Sequence, residues 1–304
     1  MEILTIDIGN TNIVIGCAED HKVQFVERMH TSNTKTDLEY AIDCHMVLEL
    51  HKIDAAELDG AIISSVVPPL TDKLSAAIQK LTGITPMIVG PGIKTGINIL
   101  MDQPAQVGSD LVVAAVAAIH DYGAPVIIID MGTATTMTVV DKNRNFIGGL
   151  ILPGVQIALQ SLENSTAQLP KIHLKAPAKV IGGNTIDSMQ SGLVFGNASA
   201  LEGLTTNAAH LPEIALEKPA KLIAGNTVGA MQSGSIFGQA CCVDGMIDRI
   251  WEDLGYETAV VASGGFAGTV IPNCKPKITV DAELLPKGLT ILYEKNAKHS
   301  RKQN

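Results

Sequence analysis

The stretch that decides the fold is Glu2-Ile3-Leu4-Thr5-Ile6-Asp7-Ile8-Gly9-Asn10-Thr11, and its pattern returns at Val126-Ile127-Ile128-Ile129-Asp130-Met131-Gly132-Thr133-Ala134. In both places a buried strand leads into an aspartate and a glycine turn, and a second strand follows at once. The two aspartates lie 123 residues apart (130 − 7 = 123). Because each copy opens roughly one domain's worth of chain, the sequence predicts two related domains facing each other across a cleft.

The composition is that of a globular chain with an aliphatic core. Of 304 residues, 46% are hydrophobic, 17% are charged and 3% are aromatic, and the formal net charge is −9. This hydrophobic fraction excludes disorder for most of the chain. The acidic balance and the scarcity of aromatic residues argue against a nucleic-acid partner. No apolar run approaches the ~20 residues of a membrane span, and the first residues are typical of a strand, so we expect a cytoplasmic protein with no membrane partner.

Several familiar kinds of site are missing from the sequence. The five cysteines are odd in number and include no C-x-x-C pair, which argues against a disulfide framework and a zinc site. The eight histidines are scattered and suggest no metal cluster. A G-x-x-x-x-G-K-[ST] phosphate-binding loop, a G-x-G-x-x-G fingerprint after the first strand and a G-x-S-x-G nucleophile elbow are also absent.

The two Asp-x-Gly turns are candidate phosphate-binding elements. A glycine turn lets backbone N–H groups approach an anion, Asn10 and Thr11 add side-chain donors, and Asp7 can hold a hydrated Mg²⁺. A Gly-Asn turn is also common in ordinary hairpins, so the first copy alone leaves both interpretations open. Two facing turns, however, can clamp one nucleotide. Gly264-Gly265 follows a third buried strand and permits a base or ribose to lie against the backbone, although a plain loop is equally compatible.

Asp110 has two possible roles. It lies in Gly108-Ser109-Asp110-Leu111, at the start of an apolar helix that the pattern predicts through Ile119. Serine and aspartate are favoured at helix N-termini, where an acid complements the helix dipole. The alternative is a general base for a substrate hydroxyl, since phosphoryl transfer to an alcohol needs positioning, metal ions and such an aspartate.

Helix and domain boundaries follow from local signals. Thr36 and Glu39 form a capping box that predicts a helix, and a second helix is predicted over Leu70–Leu81 with a stop at Gly83. The predicted domains are residues 1–119 and 120–304.

A closer repeat lies in the second predicted domain. Ala158–Ala198 aligns without gaps with Ala200–Ala240, at an offset of 42 residues (227 − 185 = 42). Both copies contain Asn-Thr followed by Met-Gln-Ser-Gly. Solenoids need about three or more repeats, so two copies indicate a local tandem duplication.

Together these motifs resemble the type III pantothenate kinases, a family of the acetate-kinase, sugar-kinase, Hsp70 and actin-like superfamily. The matching segments occur in the family's order and cover nearly the whole chain. They are Asp7–Thr11, Gly108–Asp110, Asp130–Thr136, Gly148–Gly154, Thr166–Pro170, the two Asn-Thr…Met-Gln-Ser-Gly segments and Ser263–Gly265. The resemblance implies two ribonuclease-H-like (actin-like) α/β domains flanking a nucleotide cleft. It implies ATP-dependent phosphorylation of pantothenate to 4'-phosphopantothenate, the first step of coenzyme A biosynthesis, by a cytoplasmic homodimer.

Site residues are also implied by the resemblance. Asp110 is then the proton acceptor for the pantothenate hydroxyl, and Asp130 binds a monovalent cation, K⁺ or NH₄⁺, beside the Mg²⁺ of ATP. The positions implied for ATP are Asp7, Ile8, Gly9, Asn10, Thr11, Asn12, Ile13, Val14 and Thr133, together with the loop glycines Gly264 and Gly265. The positions implied for the substrate are Met101, Gly108, Ser109, Asp110, Leu111 and a threonine of the Asn-Thr motif, Thr185 or Thr227.

Three departures from the family pattern keep alternatives open. Leu111 stands where the family usually has an arginine, and leucine cannot replace a guanidinium in anion binding. Met101 stands where a tyrosine is common. The repeat offers both Thr185 and Thr227 for one position. The alternatives are a catalytically impaired nucleotide-binding regulator and a kinase for another small acceptor.

Overall fold

The computed structural model describes residues 1–20, 22–132, 134–153 and 227–300. Thr133 and Thr185 lie outside the described residues, as do the whole first repeat copy and the second copy up to residue 226. Within the described part of the chain, no helix combines the length and apolar character needed to cross a membrane.

Strands and helices alternate through the described residues. The strands are β1 (Glu2–Ile8), β2 (Asn12–Glu19), β3 (Lys22–His30), β4 (Gly60–Ser65), β5 (Met87–Ile88), β6 (Asn98–Ile99), β7 (Val126–Met131), β8 (Ala134–Val140), β9 (Asn145–Pro153), β10 (Ala259–Ser263) and β11 (Thr279–Val280). The helices are α1 (Asp37–Leu50), α2 (Pro68–Thr82), α3 (Ser109–Tyr122), α4 (Thr227–Leu254), α5 (Ala267–Val270) and α6 (Leu284–Ser300), with 3₁₀ helices at Pro104–Gln106 and Ile271–Asn273.

The first sheet has the strand order β3-β2-β1-β4-β5. β1 pairs antiparallel with β2 and parallel with β4. In this register Asp7 is paired with Val14 on β2 and with Ser64 on β4. The central strand therefore brings its aspartate to the edge where the parallel neighbour also ends.

The second sheet repeats this order. Its strands run β11-β10-β7-β8-β9-β6, so that β9-β8-β7-β10-β11 corresponds strand for strand to the first sheet. β6 is added at the edge, parallel to β9. β1 and β7 thus occupy corresponding places in the two sheets, and each ends in an Asp-x-Gly turn. This confirms the prediction that the two parts of the chain are related in structure.

Buried apolar side chains pack on both faces of the first sheet. Alternate β1 residues, including Leu4 and Ile6, join a buried cluster with Tyr40 of α1 and Leu74 of α2. On the opposite face Ile3 packs in a cluster with residues of α3 and α6. Since side chains alternate along a strand, Asp7 belongs to the face that carries α3.

Helix α6 packs closely on α3 and holds it in place. A Cβ on Gly288 would overlap the Val113 carbonyl, so only glycine permits this approach. At the end of α3 the Tyr122 hydroxyl donates to Asp281 Oδ2 at 2.7 Å, and the Lys287 ammonium donates to the same oxygen at 2.9 Å. These contacts determine where α3 lies.

Contacts divide the chain into two compact units. One comprises Met1–Ile128, Thr138–Gly148 and Asp281–Asn304, and the other comprises Ile129–Met137 and Gly149–Val280. Both units are discontinuous in sequence, whereas the sequence division uses a single boundary between residues 119 and 120. That division stays a prediction.

The predicted helix signals are confirmed. Thr36 and Glu39 form the capping box of α1, with Glu39 N–H donating to Thr36 Oγ1 at 3.3 Å and Thr36 N–H donating to Glu39 Oε2 at 2.8 Å. α2 ends at Gly83, whose φ of 74° is left-handed. α1 also anchors the chain that follows β3, because the buried Tyr40 hydroxyl donates to Ser32 O at 2.7 Å and accepts from Ser32 N–H at 3.1 Å.

We predict that Tyr40→Phe lowers the free energy of unfolding by about 1–3 kcal/mol, because it leaves two partly buried groups of Ser32 without a partner. Urea denaturation followed by far-UV circular dichroism measures the change. Tyr293→Phe is the matched control: its hydroxyl donates to Asp59 O at 3.3 Å at an exposed site, so its effect is expected within about 0.5 kcal/mol. Equal losses in the two variants would contradict the anchoring role of Tyr40.

Candidate active site

The first Asp-x-Gly turn is a tight connection between β1 and β2. Gly9 N–H donates to Asn12 O at 3.0 Å, and a Cβ on Gly9 would lie 2.9 Å from that same oxygen. Any larger residue would have to displace the turn. Asp7 is buried, whereas Asn10, Thr11 and Asn12 are exposed. The turn therefore presents polar groups to solvent directly beside a buried carboxylate.

Thr31, just after β3, holds this turn from one side. Its hydroxyl donates to Gly9 O at 2.8 Å, and its N–H donates to Thr11 O at 2.9 Å. Tyr40 of α1 forms hydrogen bonds with the next residue, Ser32. The turn is therefore connected to α1 through Thr31 and Ser32. These hydrogen bonds give the turn a defined shape, as preorganised anion binding requires.

Two serines join the end of β4 to the start of α3. Ser64 Oγ lies 3.0 Å from Ser109 Oγ, and Ser109 Oγ also donates to Ser65 O at 3.0 Å and accepts from Ser65 N–H at 3.1 Å. Since Ser64 is the register partner of Asp7, these bonds bring the start of α3 to the Asp7 edge of the sheet. The sequence analysis did not single out Ser64 and Ser65. The sequence does contain a signal for them: the otherwise apolar strand β4 ends in two consecutive serines.

Asp110 lies in the first turn of α3 but is not its N-cap. The N-cap is Gly108, and no side chain forms a capping hydrogen bond there. A Cβ on Gly108 would overlap Asp110 Oδ1, so the glycine makes room for the carboxylate. Asp110 is therefore not the N-cap residue, although it lies in the first turn of α3, where an acid complements the helix dipole. Its role as a base stays a prediction.

Burial raises the pKa of the Asp110 carboxyl above its ordinary value. The N–H groups of Leu111 and Asp110 favour the charged form and oppose this shift, but burial has the larger effect. Within the described residues no basic side chain forms an ion pair with Asp110. A carboxylate with a raised pKa is a stronger base, which suits the removal of a hydroxyl proton.

Met101 and Leu111 are apolar side chains at two of the positions predicted for the substrate. Met101 is 36% exposed, and its Sδ lies 4.0 Å from where a Cβ on Gly148 would be. Leu111 is partly buried beside Asp110 on α3. Leu111 does not supply the charge of the arginine, and Met101 does not supply the hydroxyl of the tyrosine, that the family resemblance leads us to expect at these positions.

The second Asp-x-Gly turn is built around a close approach of Gly264. A Cβ on Gly264 would lie 2.7 Å from Asp130 Oδ1 and 2.6 Å from Met131 N, and Gly264 has a left-handed φ of 98°. Only glycine satisfies both conditions. The structure therefore brings together Asp130 and Gly264, which are 134 residues apart (264 − 130 = 134).

Thr136, on β8, carries a buried hydroxyl. Among the described residues Thr136 Oγ1 has no hydrogen-bond partner. A buried hydroxyl without a partner destabilises a protein by about 1–3 kcal/mol, so its retention needs an explanation.

The positions predicted for the site fall into two groups. Those at the end of the first sheet are Asp7 to Val14, Gly108, Ser109, Asp110 and Leu111, with Met101 in the same unit. Those at the corresponding end of the second sheet are Asp130, Gly264 and the exposed Gly265. Thr227 is the first residue of α4. The roles of all these residues stay predictions.

Comparison with known proteins decides the family. The model of the type III pantothenate kinase family matches residues 3–207 and again residues 198–249. A type III pantothenate kinase of Halalkalibacterium halodurans is 36% identical over 294 residues, covering 97% of this chain and 99% of the relative. The chain belongs to the type III pantothenate kinase family. The second match begins at the junction of the two repeat copies, so each copy lies within a matched region.

Solved structures agree with the fold. The activator of the 2-hydroxyisocaproyl-CoA dehydratase from Clostridium difficile, with bound ADPNP, has a TM-score of 0.55 at 14% identity and covers 100% of this chain and 98% of its own. Component A of the (R)-2-hydroxyglutaryl-CoA dehydratase from Acidaminococcus fermentans has a TM-score of 0.50 at 14% identity, with 98% of each chain covered. The expected actin-like α/β fold of this pantothenate kinase family member is confirmed.

We predict that Gly264→Ala destabilises the protein by at least about 1–3 kcal/mol, the strain of a side chain at positive φ, and weakens catalysis by displacing Asp130. The fluorescence of the single tryptophan, Trp251, reports unfolding in urea. Gly268→Ala is the matched control, because a Cβ there has nothing within 4 Å. A Gly264→Ala protein with the stability and activity of the Gly268→Ala protein would refute the steric argument.

Proposed function

We propose that this protein transfers the terminal phosphoryl group of ATP to the hydroxyl of pantothenate, the first step of coenzyme A biosynthesis. Membership of the type III pantothenate kinase family supports this activity and the use of ATP. The observation that supports the mechanism is the placement of Asp110: it is partly buried at the start of α3, burial raises the pKa of its carboxyl, and Ser109 joins this helix to the strand that pairs with β1.

In this mechanism each Asp-x-Gly turn is proposed to contact the nucleotide. The exposed Asn10 and Thr11 offer polar groups to the phosphates, and the hydrogen bonds from Thr31 keep their turn in one shape. Thr133 belongs to the second turn and is proposed to join them. Gly264 and Gly265 leave the backbone uncovered, so a base or ribose can approach it. Positioning of this kind supplies much of the catalysis in phosphoryl transfer.

Asp110 is proposed to take the proton of the attacking hydroxyl. The O–H bond of pantothenate breaks as its oxygen forms a bond to the terminal phosphorus of ATP, and the proton goes to an Asp110 carboxylate oxygen. The bond between this phosphorus and the bridging oxygen breaks, and ADP leaves. Gly108 and Ser109 shape the pocket beside this carboxylate. Met101 and Leu111 are proposed to supply apolar contacts to the substrate.

The carboxylates also suit the cations proposed for the reaction. Mg²⁺ is usually held by one or two carboxylates together with substrate phosphates, and Asp7 is such a carboxylate at the turn. A monovalent cation, K⁺ or NH₄⁺, is proposed at Asp130, whose carboxylate Gly264 holds in place. These cations neutralise charge on the transferring phosphoryl group when bound. A homodimer in the cytoplasm, as the family resemblance implies, is the proposed state of the protein.

We predict that Asp110→Asn lowers kcat for pantothenate-dependent ADP release by roughly 10²–10⁴-fold, the usual contribution of a general base. A coupled assay of ADP release with and without pantothenate measures it. A variant with undiminished kcat would exclude Asp110 as the base. Turnover by the wild-type protein with another acceptor and none with pantothenate would instead exclude pantothenate as the substrate. ATP binding without any turnover would support a regulator.

The stability of the same variant distinguishes a catalytic role from a structural one. Because the pKa of Asp110 is raised in the folded protein, the contribution of this group is fully present below its unfolded pKa and is lost as pH rises through its folded pKa. Asparagine carries no charge, so Asp110→Asn should be at least as stable as the wild type at pH 7. This advantage should disappear as the pH falls below about 4.

We propose Thr227 as the substrate-contacting threonine of the repeat, with Thr185 as the alternative. It begins α4, which runs without a break from the second copy to Leu254. Beyond the repeat, Val243 and Ile247 of α4 are buried, and Asp244 accepts Lys275 N–H at 3.0 and 3.1 Å. The helix start at Thr227 is therefore continuous with a firmly packed segment, and its first N–H groups lack intrahelical partners.

We predict that Thr227→Ala raises the KM for pantothenate about tenfold, the effect of losing one hydrogen bond of roughly 1.4 kcal/mol. Thr185→Ala, the same change in the other copy, should leave KM within about twofold. Steady-state kinetics at saturating ATP measures both. The reverse pattern would assign the contact to the first copy.

A further inference from the structure

The buried Thr136 hydroxyl differs from the hydroxyls of two buried threonines in the described part of the chain. Thr5 Oγ1 donates to Gly16 O at 3.1 Å, and Thr290 Oγ1 donates to Pro286 O at 2.9 Å. Thr136 Oγ1 is equally shielded from solvent but has no such partner among the described residues. Buried polar groups are nearly always satisfied, so a hydroxyl in this state points to a ligand.

The strand register sets Thr136 opposite Asp130. β7 and β8 are neighbours in the sheet and are joined by a tight turn, so they run antiparallel. Gly132 N–H donates to Ala134 O at 3.2 Å, which pairs residue 132 with residue 134. Counting outward along this register pairs Met131 with Thr135 and Asp130 with Thr136. Directly opposed residues share a face of the sheet, with Cβ atoms about 4.5–5.5 Å apart.

Gly264 fixes the carboxylate that Thr136 faces. Its backbone approaches Asp130 Oδ1 so closely that no side chain fits between them. On the other side, a Cβ on Gly132 would stay 3.7 Å from Asp130 Oδ2, an ordinary contact. The loop after β10 therefore contacts the Asp130 carboxylate on one side. On the other side, β8 carries the Thr136 hydroxyl oxygen, whose lone pairs accept no hydrogen bond among the described residues.

We propose that Thr136 is a positioning residue for the monovalent cation at Asp130, supplying a second oxygen ligand through its hydroxyl; this rests on the proposed role of Asp130. A carboxylate and a hydroxyl oxygen are hard donors, which suit K⁺. The same two oxygens accept hydrogen bonds from NH₄⁺. Binding the cation satisfies the Thr136 oxygen, which explains why the buried hydroxyl is retained.

The test measures cation binding without ATP or pantothenate. Thermal unfolding of the wild type, Thr136→Val, Thr136→Ser and Thr290→Val is followed in choline chloride, KCl and NH₄Cl at equal ionic strength. We expect K⁺ and NH₄⁺ to raise the Tm of the wild type and of Thr136→Ser. Thr136→Val should lose this increment, with a dissociation constant for K⁺ at least tenfold higher. Thr290→Val, which removes a satisfied hydroxyl, should keep the full increment.

The choline buffer separates a ligand role from a structural one. Thr136→Val removes an unsatisfied hydroxyl, so its Tm in choline should equal or exceed that of the wild type, whereas Thr290→Val should melt lower. A wild-type increment in Thr136→Val, no increment in the wild type, or a lower Tm of Thr136→Val in choline would each overturn the proposal. Pantothenate-dependent ADP release by the wild type is measured separately, so failure of the proposed function is recognised independently.

Discussion

The structure depends on the pairing of each central strand with one antiparallel and one parallel neighbour. The antiparallel partner follows at once and creates the Asp-x-Gly turn, while the parallel partner ends at the same edge and contributes the next loop. In the first sheet this places Ser64 beside Asp7, and in the second it places Gly264 against Asp130. The same strand arrangement therefore occurs in both sheets, although the contacts differ: hydrogen-bonded serines in one, a bare glycine backbone in the other.

Burial of a carboxylate is the main energetic conflict in this arrangement. Asp110 is desolvated at the start of an apolar helix, and the neighbouring N–H groups offset only part of that penalty. Folding alone would favour an uncharged residue at this position. The protein tolerates the charge because α3 is held firmly by α6 and by the serine hydrogen bonds at its start. Stability from these distant contacts thus supports a locally unfavourable group whose use lies in catalysis.

Much of the fold could be predicted from local sequence signals, because those signals act over a few residues. The capping box at Thr36, the stop at Gly83 and both strand–turn–strand units are examples. The candidate site was predictable in its motifs but not in its contacts. The hydrogen bonds of Ser109 with Ser64 and Ser65, the approach of Gly264 to Asp130 and the partnerless Thr136 hydroxyl all depend on strand order and register. Those are set by pairings between residues far apart in the chain, which no short pattern encodes.

Helix α4 runs across the end of the second repeat copy, and this has an evolutionary consequence. Recombination between the copies would join equivalent residues of the Asn-Thr…Met-Gln-Ser-Gly segments and remove 42 residues (227 − 185 = 42). The helical phase would be unchanged across the junction, so Ala240, Val243 and Ile247 would still face the core. Loss of one copy would therefore keep the spacing of the buried residues in the part of α4 that follows the repeat.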